Sequence, residues 1–261
     1  MTRNFLILIS LISLCGCSAK TTPATEEPQT SYKVLCLGNS ITRHEYAENV
    51  EWYSDWGMAA SKPENDYCHV LESLLNEKHP GSTVTPLNIA AWERSLSDDI
   101  EGFIGEYAED KDIIVVRLGE NVSAERAFEP ALQKLVSWCV AHAKYVLITG
   151  TFWKSEVKEA AVIEAARLYD IPYYPISQLD VPENHPKVGD TFLDIRGGTY
   201  QISKDFIITH PNDKGMREIA EIIYGGIEKL VSGKIGARDI AARRHISEKM
   251  PMSTRSRTVD S

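Results

Sequence analysis

Three stretches far apart in the chain hold side chains able, if brought together, to carry out acyl transfer. They are Gly38-Asn39-Ser40-Ile41-Thr42, Leu118-Gly119-Glu120-Asn121 and Thr209-His210-Pro211-Asn212-Asp213. A serine hydroxyl is a weak nucleophile at its free pKa and needs a base within hydrogen-bond reach. The tetrahedral intermediate it forms needs donors aimed at the developing oxyanion. Ser40, Asn121 and His210 supply a nucleophile, a carboxamide donor and a base, in that chain order. The Ser40 string alone is weak, because short Gly-x-Ser strings occur by chance; the ordered set is far more specific. The elbow Gly-x-Ser-x-Gly is absent, since Thr42 stands where its second glycine belongs.

Such groups converge only if a scaffold brings them to one rim. Short β-type runs alternate with helical runs throughout. Tyr32 to Leu37, Thr83 to Ala90, Asp112 to Leu118, Tyr145 to Thr149 and Pro172 to Ile176 read as strands. Asp66 is placed to cap a helix reaching about His79, and Ser97 one reaching about Glu109. Phe128, Leu132, Leu135 and Cys139 share a helical face, as do Val157, Ala161, Ala165 and Leu168. Ile219, Ile223, Ile227 and Leu230 mark a last amphipathic helix from Met216. This alternation predicts an α/β fold, a three-layer αβα sandwich around a parallel sheet of about five strands. In open sheets of this kind, ligands bind beyond the carboxyl ends of the strands. Ser40 and Asn121 each follow a strand end, and His210 lies just before the last helix. The irregular stretches 45–65 and 178–205 are longer than connectors need to be and read as functional loops.

The order Ser, Asn, His on successive loops resembles the SGNH hydrolases, a GDSL-type family of serine esterases and lipases with a flavodoxin-like sheet. The resemblance covers most of residues 32–231 and rests on Gly38-Asn39-Ser40-Ile41-Thr42, Gly119-Glu120-Asn121 and His210-Pro211 with Gly215 downstream. It implies that Ser40 attacks an ester carbonyl while His210 takes its proton and returns it to the leaving alcohol. It also implies an oxyanion hole made of the Ser40 N–H, the Asn121 side chain and a backbone N–H from the second block. The family's glycine in that block aligns with Glu93, whose backbone can still donate but whose side chain must point somewhere. The family also places an aspartate three residues before its histidine; Ile207 stands there instead, with Asp205 two residues upstream and Asp213 three residues after His210. The expectation is therefore a Ser40–His210 dyad, its ring oriented by a main-chain carbonyl or by a carboxylate from elsewhere. Asp213 reads mainly as an acidic residue in a helix's first turn.

Beside this constellation, Arg43, His44 and Trp92 are candidates for substrate contact. Trp52, Trp56, Trp92 and Trp153 lie in or beside strand-end loops, where tryptophan either stacks on a sugar ring or pins the loop to the core. Cys36 and Cys139 read as small core residues. No paired-histidine or Cys-x-x-Cys spacing points to a metal, and no cofactor is expected.

The chain has 261 residues and a formal net charge of −9. Residues 1–31 are neutral and residues 232–261, with seven basic against three acidic side chains, stand at +4, so the middle carries −13. Nucleic acid is a poor partner for such a body, because phosphate binding rests on clustered Lys and Arg. Residues 1–17 resemble a bacterial lipoprotein signal: Arg3, an apolar run Phe5 to Leu14, then Leu14-Cys15-Gly16-Cys17. The resemblance implies lipidation of Cys17 and export to the cell envelope, with Ser18 favouring the outer membrane. Residues 18–31 read as a flexible linker, 32–231 as the hydrolase domain and 232–261 as a basic polar tail. A membrane is expected to be met only through the N-terminal lipid.

The reading is a serine esterase cleaving small acyl groups, O-acetyl above all, from a small-molecule or glycan substrate. A lipase, lysophospholipase or acyltransferase is the rival within enzymes, and a catalytically silent glycan-binding lipoprotein is the rival outside them. The sequence leaves the oligomeric state open.

Overall fold

The structure, a computed structural model, describes residues 30–203 and 205–233. The N-terminal signal with Cys17, nearly all of the linker and the basic tail lie outside the described residues.

Five strands form one parallel sheet: β1 (Lys33–Gly38), β2 (Thr83–Asn88), β3 (Ile113–Val116), β4 (Tyr145–Thr149) and β5 (Tyr173–Tyr174), in the order β2-β1-β3-β4-β5. The α/β sandwich with a five-stranded parallel sheet is thus the fold observed. β1 lies between β2 and β3, with Leu37 opposite Leu87 on one side and Val116 on the other. Pro86 is tolerated because β2 is an edge strand, where a missing N–H costs no central ladder bond.

Helices cover both faces. α1 (Tyr67–Lys78) and α7 (Asp213–Val231) pack on one face, against Val34, Cys36, Ile113, Val115 and Leu147. α3 (Ile100–Ala108), α4 (Glu125–His142) and α5 (Glu156–Tyr169) cover the other, against Leu35, Leu37, Ile114, Val116 and Ile148. The central strands β1, β3 and β4 are almost wholly apolar because both faces are buried, so alternate residues feed alternate cores. α7 buries Met216, Ile219, Ile223, Ile227 and Leu230 along one stripe, each contributing about 1.5–3 kcal/mol. All three described cysteines are free and buried.

Local departures from the sequence reading have identifiable causes. β2 stops at Asn88, and the chain turns into a short helix, α2 (Ala90–Ser95), whose first N–H, that of Ala90, is capped by the Asn88 side chain at 2.9 Å. The next helix is capped by Asp99, which accepts from Gly102 N–H at 3.0 Å, rather than by Ser97. The stretch 178–205 is only partly irregular. It contains an antiparallel hairpin of β6 (Thr191–Leu193) and β7 (Thr199–Gln201), followed by a short helix, α6 (Asp205–Ile208). The two long loops pack on each other. Ser54 donates to the Leu193 carbonyl at 2.8 Å, Tyr53 meets Tyr200 edge-on at 4.8 Å, and Trp52 meets Phe192 at 6.2 Å.

Candidate active site

Ser40 sits just beyond β1 at the head of a tight turn. The Asn39 carbonyl accepts the N–H groups of Thr42 at 2.9 Å and Arg43 at 3.0 Å, and the Asn39 side chain accepts from Ile41 N–H at 3.3 Å. The turn needs glycine before it, since a Cβ on Gly38 would lie 1.8 Å from Thr42 Oγ1. Ser40 Oγ is 2.9 Å from His210 Nε2.

His210 lies between α6 and α7 and is fully buried. Its N–H donates to the Ile207 carbonyl at 3.0 Å. Asn212 caps α7, its side chain accepting from Lys214 and Gly215 N–H at 3.0 Å each. The Asn212 amide also donates to the Glu183 and His185 carbonyls, which fixes the His210 loop to its neighbour. His210 Nδ1 faces the Phe206 carbonyl at 3.1 Å. With Nδ1–H donated there, Nε2 carries the lone pair and accepts a hydrogen bond from the Ser40 hydroxyl. The rings of Trp153 and Phe206 stand edge-on to the imidazole at 5.2 and 5.1 Å. Burial pushes the His210 pKa down to about 3, the Phe206 carbonyl opposing the shift and the charges of His44, Arg117 and His185 adding to it.

No aspartate orients this ring among the described residues. Asp205 is exposed at the start of α6. Asp213 points away, accepting from Ser61 N–H at 2.7 Å, Ser61 Oγ at 2.6 Å and Asn65 Nδ2 at 2.7 Å. It ties the 45–65 loop to the start of α7, where it stands in the first turn as the sequence reading has it, behind the Asn212 cap.

Asn121 follows β3 on a turn opened by Gly119, whose φ of +134° and closeness to Thr151 exclude a side chain. Its Nδ2 donates to Glu93 Oε2 at 2.7 Å. Glu93, expected to offer a backbone donor to the oxyanion, does not keep that donor free. Its backbone N–H donates to the Ile89 carbonyl at 3.2 Å within the start of α2, so that N–H is already engaged. Its side chain is buried, and Oε1 accepts from Gly119 N–H and from Asn39 Nδ2. Burial and the nearby Glu120 carboxylate raise its pKa, against the pull of Gly119 N–H, Asn121 and Arg117. The Ser40 N–H makes no hydrogen bond among the described residues, so it stays available as a donor.

Beneath these groups lies a network the sequence reading did not identify. Arg117 is fully buried; it donates to Glu120 Oε1 at 2.6 Å and to Asn39 Oδ1, while Asn39 Nδ2 donates to Glu120 Oε2 at 2.7 Å. Phe152 N–H donates to Glu120 Oε1 at 3.0 Å. An arginine directly after a strand of Ile and Val was the available signal, because such a charge is buried only with partners.

Of the candidate substrate contacts, Arg43 is half-buried and holds the Asp55 carbonyl at 3.1 Å. It lines a cleft of about 490 Å³ together with Asp55, Trp56, His69, Leu193 and Asp194. His44 is half-buried, its N–H on the Trp56 carbonyl. Trp92 is fully buried, with Nε1 donating to the Ser97 carbonyl at 3.0 Å, and so is corrected to a loop anchor. Trp52 and Trp56 are buried anchors too, leaving Trp153, partly exposed beside His210, as the one of these four facing the site.

No protein-family model matches the chain, and no curated protein matches it. Solved structures share its fold. An alpha/beta hydrolase enzyme from the metagenome of Lake Arreo, Spain, is similar with a TM-score of 0.53 and 13% identity, over 77% of this chain and 97% of its own. An acetylxylan esterase from Geobacillus stearothermophilus has a TM-score of 0.51 and 15% identity, over 77% and 96%. A two-domain esterase active on acetylated mannans, co-crystallized with mannopentaose, has a TM-score of 0.52 and 17% identity, over 81% of this chain and 52% of its own. At such identities the likeness is one of fold.

Proposed function

We propose that the chain is a serine carbohydrate esterase that removes small acyl groups, chiefly O-acetyl, through a Ser40–His210 dyad. The observation that carries this reading is the 2.9 Å separation of Ser40 Oγ from His210 Nε2, with Nδ1 held by a carbonyl. As Oγ bonds to the ester carbon, its proton passes to Nε2 and the carbonyl π pair moves onto oxygen. Ser40 N–H and Asn121 Nδ2–H receive that oxyanion. Collapse expels the alkoxide, which takes the proton from Nε2, and leaves an acyl-serine. Water, deprotonated by the same nitrogen, then releases the acid and regenerates Ser40.

The acyl and sugar parts of the proposal draw support from the fold neighbours, two of which are described as esterases acting on acetylated xylan or mannan. Cys17 lipidation would hold the activity at the envelope surface, with residues 18–31 as tether. Residues 19–261, assayed with nitrophenyl esters of increasing acyl length and with acetylated glycans, test it. Turnover should be greatest on acetate. His210→Ala should cost about 10²- to 10⁴-fold in kcat, and Ser40→Ala at least as much. Full activity in Ser40→Ala overturns the proposal. Glycan binding without turnover favours the silent binder, for which the missing orienting carboxylate speaks.

A further inference from the structure

Glu93 places a buried carboxylate on the oxyanion side of the site, where neither nucleophile nor base has use for it. Both of its oxygens are engaged, Oε1 with Gly119 N–H and Asn39 Nδ2, Oε2 with Asn121 Nδ2 at 2.7 Å. A primary amide has nearly the same shape at its two ends, and only its partners decide which end points where. A carboxylate accepts and does not donate, so it can face only the NH₂ end of Asn121. One of the two amide hydrogens is taken by Glu93; the other leaves the same nitrogen in a different direction.

We infer that Glu93 is a positioning residue that locks the Asn121 amide with its second N–H toward the substrate carbonyl oxygen and its own oxygen turned away. The inference rests on the ester-hydrolase reading above. Two features strengthen it. Through Gly119 N–H, the same carboxylate pins the backbone turn on which Asn121 rides. Glu93 is itself held by Asn39, whose neighbours Arg117 and Glu120 are buried and paired. The residue preceding the nucleophile and the oxyanion donor are thus referred to a single carboxylate. In a Glu93→Gln variant, the Gly119 N–H still demands the side-chain oxygen. The new NH₂ group then faces Asn121 and can be satisfied only if that amide turns over.

The test is a double-mutant cycle on the recombinant chain, measuring kcat and KM for nitrophenyl acetate in wild type, Glu93→Gln, Asn121→Ala and the double variant. Glu93→Gln should lower kcat by about 10²- to 10³-fold, the loss seen when one oxyanion donor is removed, with KM little changed. In the Asn121→Ala background the same change should cost less than about threefold, because its target is gone. An equal loss in both backgrounds, or a loss confined to KM, overturns the inference while leaving the esterase reading intact. Absence of wild-type turnover, together with failure of an alkyl fluorophosphonate to label Ser40, overturns both. Should Glu93→Gln fail to fold, ¹⁵N NMR of the wild-type Asn121 side chain decides. One amide proton should lie well downfield on the carboxylate, and the other should move when Ser40 is phosphonylated. Averaged protons, or no movement, overturn the inference.

Discussion

Around Asn121 the structure packs Glu93, Arg117 and Glu120 into one buried hydrogen-bonded network, whereas around His210 it places two aromatic rings and a main-chain carbonyl. On the first side orientation comes from charge; on the second it comes from packing. A carboxylate on Nδ1 would raise the basicity of the imidazole, and its place is filled by Phe206 O. What the site keeps is a ring that is neutral and desolvated before substrate arrives. In the proposed reaction, that dry setting would leave the attraction between a forming imidazolium and a forming oxyanion weakly screened. Under the proposed mechanism, the buried ionic network would stand on the oxyanion side, and the proposed base would be held by rings and a carbonyl in place of a carboxylate.

The contrast can be broken first at Arg117. Arg117→Met leaves Glu120 and Asn39 buried without their cation and should lower stability by about 3–5 kcal/mol, read from urea unfolding. A loss under about 1 kcal/mol would mean that the network is wet. A smaller effect concerns pH. His210 has a folded pKa of about 3, below its ordinary value of about 6.5, so the unfolded chain binds a proton that the folded chain refuses between those limits. Its contribution to stability is therefore full above pH 6.5 and is lost progressively as pH falls toward 3. Wild type should lose more stability than His210→Ala between pH 6.5 and 4.5, and the acid limb of kcat/KM should fall below 6.5. A limb centred at 6.5 or above would show the imidazole to be solvated. The least effect is expected at Asp205, the carboxylate nearest His210 upstream in sequence. Asp205→Ala should change kcat less than twofold and stability by no more than about 0.5 kcal/mol. A tenfold loss of kcat would reveal a third catalytic group on the charge-poor side.

The legible parts were those that chain order and periodicity specify. Apolar strands separated by amphipathic helices gave the sheet, and Ser40, Asn121 and His210 could be placed at its rim because each follows or precedes an element end. What escaped depended on side chains meeting across the sequence. Nothing near Glu93 announces that its carboxylate is 2.7 Å from Asn121 Nδ2, 28 residues on. Arg117 did carry a signal, a cation closing a run of four buried aliphatic residues, and Asp194-Ile195-Arg196-Gly197-Gly198 between Thr191-Phe192-Leu193 and Thr199-Tyr200-Gln201 was a readable hairpin turn. Trp92 was ambiguous for a different reason: a loop tryptophan suits a sugar face and a core equally well until its burial is known.

Ser40 and His210 are 170 residues apart, and α7, which follows His210 directly, docks on α1 across the face of the sheet. Contacts of such long range reward the chain only after loop-closure entropy has been overcome. On the proposed mechanism, a chain whose last helix has not docked would hold its nucleophile without a base, however much secondary structure it had gained. Recovery of turnover after dilution from urea should then lag behind recovery of helical circular dichroism, and simultaneous recovery would show that the last helix docks as soon as it forms.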